Sequence, residues 1–104
     1  MTGNISDMPR TGRLDAPGVL HNIMIRGIER RNIFRDNQDR KDFLVRLEKL
    51  LPETQTSCYT WMLMPNHAHF LLRSGQVPLA TVMRRLLTGY VVGFNRRHKR
   101  RSKL

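Results

Sequence analysis

Met64-Pro65-Asn66-His67-Ala68-His69-Phe70-Leu71-Leu72 is the stretch from which the fold can be read. Pro65-Asn66 is a turn signal, and strand-like composition flanks it, Thr56 to Met64 before and His67 to Arg73 after. Together these segments predict a β-hairpin. Side chains alternate along a strand, so His67 and His69 project on one side while Ala68 and Phe70 project on the other. Two imidazoles on one face can share a metal ion. The spacing alone leaves exposed or hydrogen-bonded structural histidines as the commoner reading.

Upstream of the hairpin, Asp36 to Leu51 predicts a helix. Asp36 is a natural N-cap, Asp39 lies in the first turn, and Phe43, Leu44, Leu47, Leu50 and Leu51 recur at helical spacing. Pro52 is expected to end it. Val19 to Arg26 is rich in branched apolar residues and stops at Gly27, as a buried strand would. Gly27 to Arg35 is then a basic loop able to meet phosphate. Downstream, Pro78 suits the first turn of a second helix, with Val82, Met83, Leu86, Leu87, Tyr90, Val91 and Phe94 on one face. The resulting order, β-α-β-β-α, is an α+β, ferredoxin-like pattern lacking its last strand, which leaves Val19 to Arg26 as an apolar edge. Residues 1–17 read as a flexible arm and 18–104 as one domain.

Charge points to the partner. Nineteen Lys and Arg against eight Asp and Glu give a net charge of +11. All eight acids precede residue 54, whereas nine of the bases follow it. A solvated face usually mixes both signs, so a polyanion such as nucleic acid is the expected partner, ahead of a membrane surface. The candidate contacts are Arg26, Arg30, Arg31, Arg84, Arg85, Arg96, Arg97, Lys99, Arg100 and Arg101. Trp61, Phe34 and Phe70 could stack on bases if exposed, and His98 is expected to meet solvent or DNA. No apolar run at the start or elsewhere is long enough for a signal peptide or a membrane span, so a cytoplasmic, nucleoid-associated protein is expected. The lone Cys58 is assigned no chemistry.

The nine residues from Met64 to Leu72 resemble the signature strand of the HUH single-tyrosine bacterial transposases, in particular the REP-associated tyrosine transposases. Leu20 to Gly27 with Arg30-Arg31-Asn32-Ile33-Phe34 is similar to that family's first strand and basic loop, and Leu86 to His98 to its second helix. The resemblance implies a DNA strand cleavage and transfer enzyme. His67 and His69 would hold magnesium or manganese, a tyrosine would attack the phosphate to form a phosphotyrosyl intermediate, and homodimers would act on single-stranded or hairpin DNA. The family's nucleophilic tyrosine lies on a helix downstream of a further strand, and this chain stops at Leu104. The expectation is therefore a C-terminally truncated copy, inactive alone. Tyr90 is the one candidate nucleophile, but its place on the apolar helix face favours core packing, as does Tyr59's place beside Trp61. His21 could approach the metal or serve the structure. Two other readings are a non-catalytic DNA- or RNA-binding module and a regulator of a full-length transposase.

Overall fold

The computed structural model describes residues 3–4 and 18–99. The fold is α+β, in the order β-α-β-β-α expected of a ferredoxin-like domain. Its strands are β1 (Gly3–Asn4), β2 (Leu20–Arg26), β3 (Ser57–Met64) and β4 (His67–Arg73), and its helices α1 (Asn37–Thr54) and α2 (Leu79–Arg97). The sheet order is β1-β2-β4-β3, with β4 antiparallel to both β2 and β3. The arm expected over 1–17 lies outside the described residues except for Gly3–Asn4. These two pair in parallel with Ile23 and Met24, so the β2 edge is covered for part of its length rather than fully open.

β4 is central because its sequence can serve both faces. Ala68, Phe70 and Leu72 are buried toward the helices, together with Ile23 and Ile25 of β2. They form one core with Phe43 and Leu47 of α1 and Met83, Leu86, Tyr90 and Phe94 of α2. Phe43 anchors this core, stacking on Phe70 at 5.7 Å and meeting Phe34 and Tyr90 edge-on at 5.3 and 5.1 Å. Offset and edge-on pairs of this kind favour the aromatic quadrupole and add to simple burial.

α1 starts as expected, with the Asp36 side chain accepting from the Asp39 amide at 2.9 Å. It does not end at Pro52. The helix continues to Thr54 and stops at Gln55, which is left-handed at φ 58°. Proline lacks the N–H its helical position would use, but so near the C-terminus this removes one bond only. The Thr54 hydroxyl donates to the Leu50 carbonyl at 2.8 Å, and the Thr56 amide to Leu51 at 2.9 Å, which satisfies the final turn. Gly75 permits this ending, because a Cβ there would lie 2.0 Å from the Gln55 carbonyl oxygen.

The two helices are joined by a buried carboxylate. Asp39 has no exposed surface. It accepts from the Arg35 amide at 2.8 Å, from Arg97 Nε at 2.9 Å, and shares hydrogen bonds of 2.9 and 3.0 Å with His98 Nε2. Arg97 also donates to Asp42 at 3.0 Å. Burial alone would raise the Asp39 pKa, but the Arg35, His98 and Arg97 hydrogen bonds outweigh it and hold the carboxyl below the usual aspartate range. A depressed folded-state pKa adds stability that is present above the unfolded value and lost as pH falls through the folded one. Asp39→Asn should therefore cost about 2 kcal/mol at neutral pH. The difference from the wild type should stay constant down to about pH 4 and shrink below it, as urea denaturation at a series of pH values would measure.

Candidate functional site

The outer face of the sheet, away from the helices, carries the two histidines. Residues paired directly across a sheet share a face. His67 pairs with Arg26 and Met64, and His69 with Met24 and Met62. Both imidazoles are half-buried, with ring centroids 5.1 Å apart and planes nearly perpendicular. Asn66 Oδ1 lies 2.8 Å from His67 Nδ1. With the amide oxygen toward the ring, Nδ1 carries the proton and Nε2 keeps its lone pair free for a cation.

The basic loop is bound to this end of the sheet. The Gly27 amide donates to the Asn66 carbonyl at 3.0 Å, and the Ile33 and Phe34 amides both donate to Pro65 at 2.7 and 3.1 Å. Ile28–Arg30 forms a 3-10 turn in which Glu29 and Arg30 have positive φ, a strained arrangement for residues with side chains. A Cβ on Gly27 would fall 2.1 Å from the Arg31 carbonyl oxygen, so only glycine lets the loop fold back this tightly. Arg26, Arg30, Arg31 and Arg35 are exposed on or beside the loop, at the His67 end of the sheet.

The remaining bases are distributed differently. β2, β3 and β4 contain no Asp or Glu, whereas Asp39, Asp42, Glu48 and Glu53 all belong to α1 in the helical layer. Arg85 on α2 donates to Glu53 at 2.9 Å, and Arg97 is held by Asp39 and Asp42. Arg84, Arg96 and Lys99 are exposed on the helical side, while Arg100 and Arg101 lie outside the described residues. His98 turns inward to Asp39 rather than outward to solvent or DNA. Among the described residues, Asp36, Asp39 and His98 bring three potential metal-ligand atoms within 4.8 Å of one another. The Asp39 oxygens there are already occupied by His98, the Arg35 amide and the Arg97 guanidinium, whose charge opposes a second cation. This group is a structural clamp between the two helices.

The chain as a whole has a clear family match. The family model described as transposase, IS200 like, matches residues 18–104. No curated protein matches, and no solved structure does. No helix among the described residues is long and apolar enough to cross a membrane.

His21 shares the inward face of β2 with Ile23 and Ile25, so it cannot join the histidine pair on the opposite face. Phe34 and Phe70 are buried, and Trp61 borders a groove of about 300 Å³ with Leu44, Leu47 and Leu51 on the helical side. None of these three aromatic rings reaches the outer face. Tyr59 does, and simple strand alternation misses it. A β-bulge between Cys58 and Thr60 releases it from the Trp61 face, and its hydroxyl accepts from Arg73 Nε at 2.8 Å. Tyr90 is 1% exposed and donates to the Ile33 carbonyl. Burial, and then the negative charge of Asp39, push its hydroxyl well above the ordinary phenol range, so it stays protonated and unable to attack phosphate. Tyr90→Phe should destabilise the fold by about 1–3 kcal/mol through the unpaired Ile33 carbonyl, seen as a lower urea midpoint, with metal and DNA binding by the folded protein unchanged.

Proposed function

We propose, since this chain belongs to the IS200-like transposase family, that residues 18–104 form a domain that binds single-stranded or hairpin DNA and presents a phosphate to a divalent ion at His67 and His69. The observation that carries this reading is the histidine pair on an acid-free sheet face, with an arginine loop tied by backbone hydrogen bonds to the turn before His67. When bound, magnesium or manganese would neutralise charge on the phosphate oxygens and make the phosphorus more open to attack. Two neutral imidazoles fit such an ion, because they leave its other coordination positions to DNA and water. Asn66 fixes the His67 ring by holding the Nδ1 proton.

The other residues bind and orient. Arg26 sits across from His67 in the ladder, and Arg30 and Arg31 extend the positive charge beyond it along the loop. A strand laid over the outer face would meet these guanidinium groups next to the reacting phosphate. Arg84, Arg96 and Lys99 would serve a more distant part of a hairpin, while Arg85 and Arg97 would have to leave their carboxylate partners to take part. The family's chemistry joins a tyrosine oxygen to the phosphorus and releases a 3′-hydroxyl, which later reverses the step to rejoin strands. Neither tyrosine here is suited to that attack. Tyr90 is buried, and Tyr59 lies toward the far end of the sheet, four residues or about 13 Å from His69 along β4 to its partner Arg73. The chain's own part in the reaction is to bind DNA, align it and polarise its phosphate, and the same reading makes it a homodimer in the cytoplasm.

Manganese titration followed by electron paramagnetic resonance, with and without a single-stranded hairpin oligonucleotide, tests this. His67→Ala and His69→Ala should each weaken manganese binding about tenfold or more and change the unfolding free energy from urea denaturation by no more than about 1 kcal/mol, because both rings are only half-buried. Manganese uptake unaffected by either change would leave a metal-independent nucleic-acid module instead. DNA affinity should fall steeply with salt. Replacing Arg30 or Arg31 with Ala should reduce the log–log slope by about 0.7 for each phosphate contact removed, measured by fluorescence anisotropy.

A further inference from the structure

Tyr59 is exposed, fixed in place, and used by nothing else in the fold. The register shift between Cys58↔Leu72 and Thr60↔Leu71 leaves it as the extra residue of a bulge, a device that re-aims a side chain. Its ring is 53% exposed. Even so it is anchored, since Arg73 Nε donates to its hydroxyl at 2.8 Å and the Arg73 guanidinium carbon lies 5.6 Å from the ring centroid. Arg73 is held in turn, with Nη1 donating to the Gly18 carbonyl at 2.9 Å. Fixing an exposed ring sacrifices side-chain freedom without the gain of burial, so the arrangement suits a ring that is covered by a partner.

The surroundings indicate that partner's chemistry. The outer face carries Met24 and Met62 beside His69, then the row Asn22, Leu71 and Thr60 before Tyr59, with Arg26 at one end, Arg73 at the other and no carboxylate on its three strands. An uncharged path of apolar and small polar side chains flanked by cations matches single-stranded nucleic acid, whose bases are apolar on their faces and whose backbone is anionic. A peptide or a second copy of the chain would more often bring mixed charge. The geometry points to Tyr59, held by Arg73, as a stacking platform for one base of a DNA single strand that runs along β4, a few nucleotides from the phosphate at the His67–His69 pair.

This rests on the proposal that the chain binds single-stranded DNA, and the experiment separates the two. Fluorescence anisotropy is measured with a labelled single-stranded oligonucleotide and with a series of the same oligonucleotide bearing one abasic nucleotide at each position in turn. The wild type, Tyr59→Ala, Tyr59→Phe and His67→Ala are compared. Tyr59→Ala should bind the intact strand about ten- to a hundredfold more weakly, the range expected for losing one base–aromatic stack. Tyr59→Phe, which keeps the ring but loses the Arg73 hydrogen bond, should fall between. One abasic position should weaken the wild type by a similar factor and leave Tyr59→Ala unaffected, and that position should be the same in His67→Ala. If the wild type binds the strand and Tyr59→Ala binds it equally well, or if no abasic position distinguishes them, the platform is wrong while the DNA reading stands. If the wild type binds no single strand, the DNA reading fails and the platform with it. A change in oligomeric state in Tyr59→Ala without DNA, seen by sedimentation, would assign the ring to a protein contact and overturn the proposal.

Discussion

Everything at the candidate site depends on the double pairing of β4. It is hydrogen-bonded to β2 on one side and β3 on the other, and Ala68, Phe70 and Leu72 fill the core beneath it. A slip of one residue would drive His67, His69 and Leu71 into that core and expose Phe70, so the register is fixed by burial as much as by hydrogen bonds. The histidines owe their shared face to this constraint. The turn before them is fixed as well, because the Pro65 and Asn66 carbonyls are the acceptors that close the basic loop. The histidine pair and the arginine loop are thereby attached to one rigid element.

Ion pairs in the helical layer offset part of the positive charge of this chain, whose net charge is +11. Its acids are concentrated on α1, where Asp42 meets Arg46 and Arg97, Glu53 meets Arg85, and buried Asp39 meets Arg97 and His98. A buried carboxylate is costly unless its lone pairs are filled, and those of Asp39 are filled by charged or backbone donors. With Asp39, Asp42, Glu48 and Glu53 on α1 and Glu29 in the loop after β2, the strands β2, β3 and β4 themselves hold no carboxylate. α1 sets four acids against four bases and α2 adds four bases, whereas β2, β3 and β4 together carry bases alone.

Sequence reading recovered the elements whose signal is local. Alternation in β4, the Asp36 cap and the apolar face of α2 each depend on neighbours within a few residues, and each stands as expected. The ending of α1 is not legible in sequence, since the helix runs past Pro52 and stops where Gln55 turns left-handed against Gly75, twenty residues on. Nor is the Asp39 clamp, which joins residues 58 and 59 positions apart and takes Arg97 and His98 out of the basic tail. Tyr59 was hidden differently. Strict alternation puts it with Trp61 on the helical side, and one bulged residue is enough to reverse that.

The outer face is also where stability was not the governing demand. Leu20, Tyr59, Met62 and Met64 are all exposed there, and apolar surface left in water adds nothing to stability. Polar substitution at any of them would leave the core untouched, because none reaches it. What unites these residues is a common plane with the histidine pair, together with arginines at either end. A rigid strand spaces the two ends of that plane by a fixed length, so a ligand engaged at Arg73 is presented in a fixed register to His67 and His69. Under the proposed DNA reading, a phosphate held this way would already have lost, without any moving part, the freedom that a transition state otherwise has to remove.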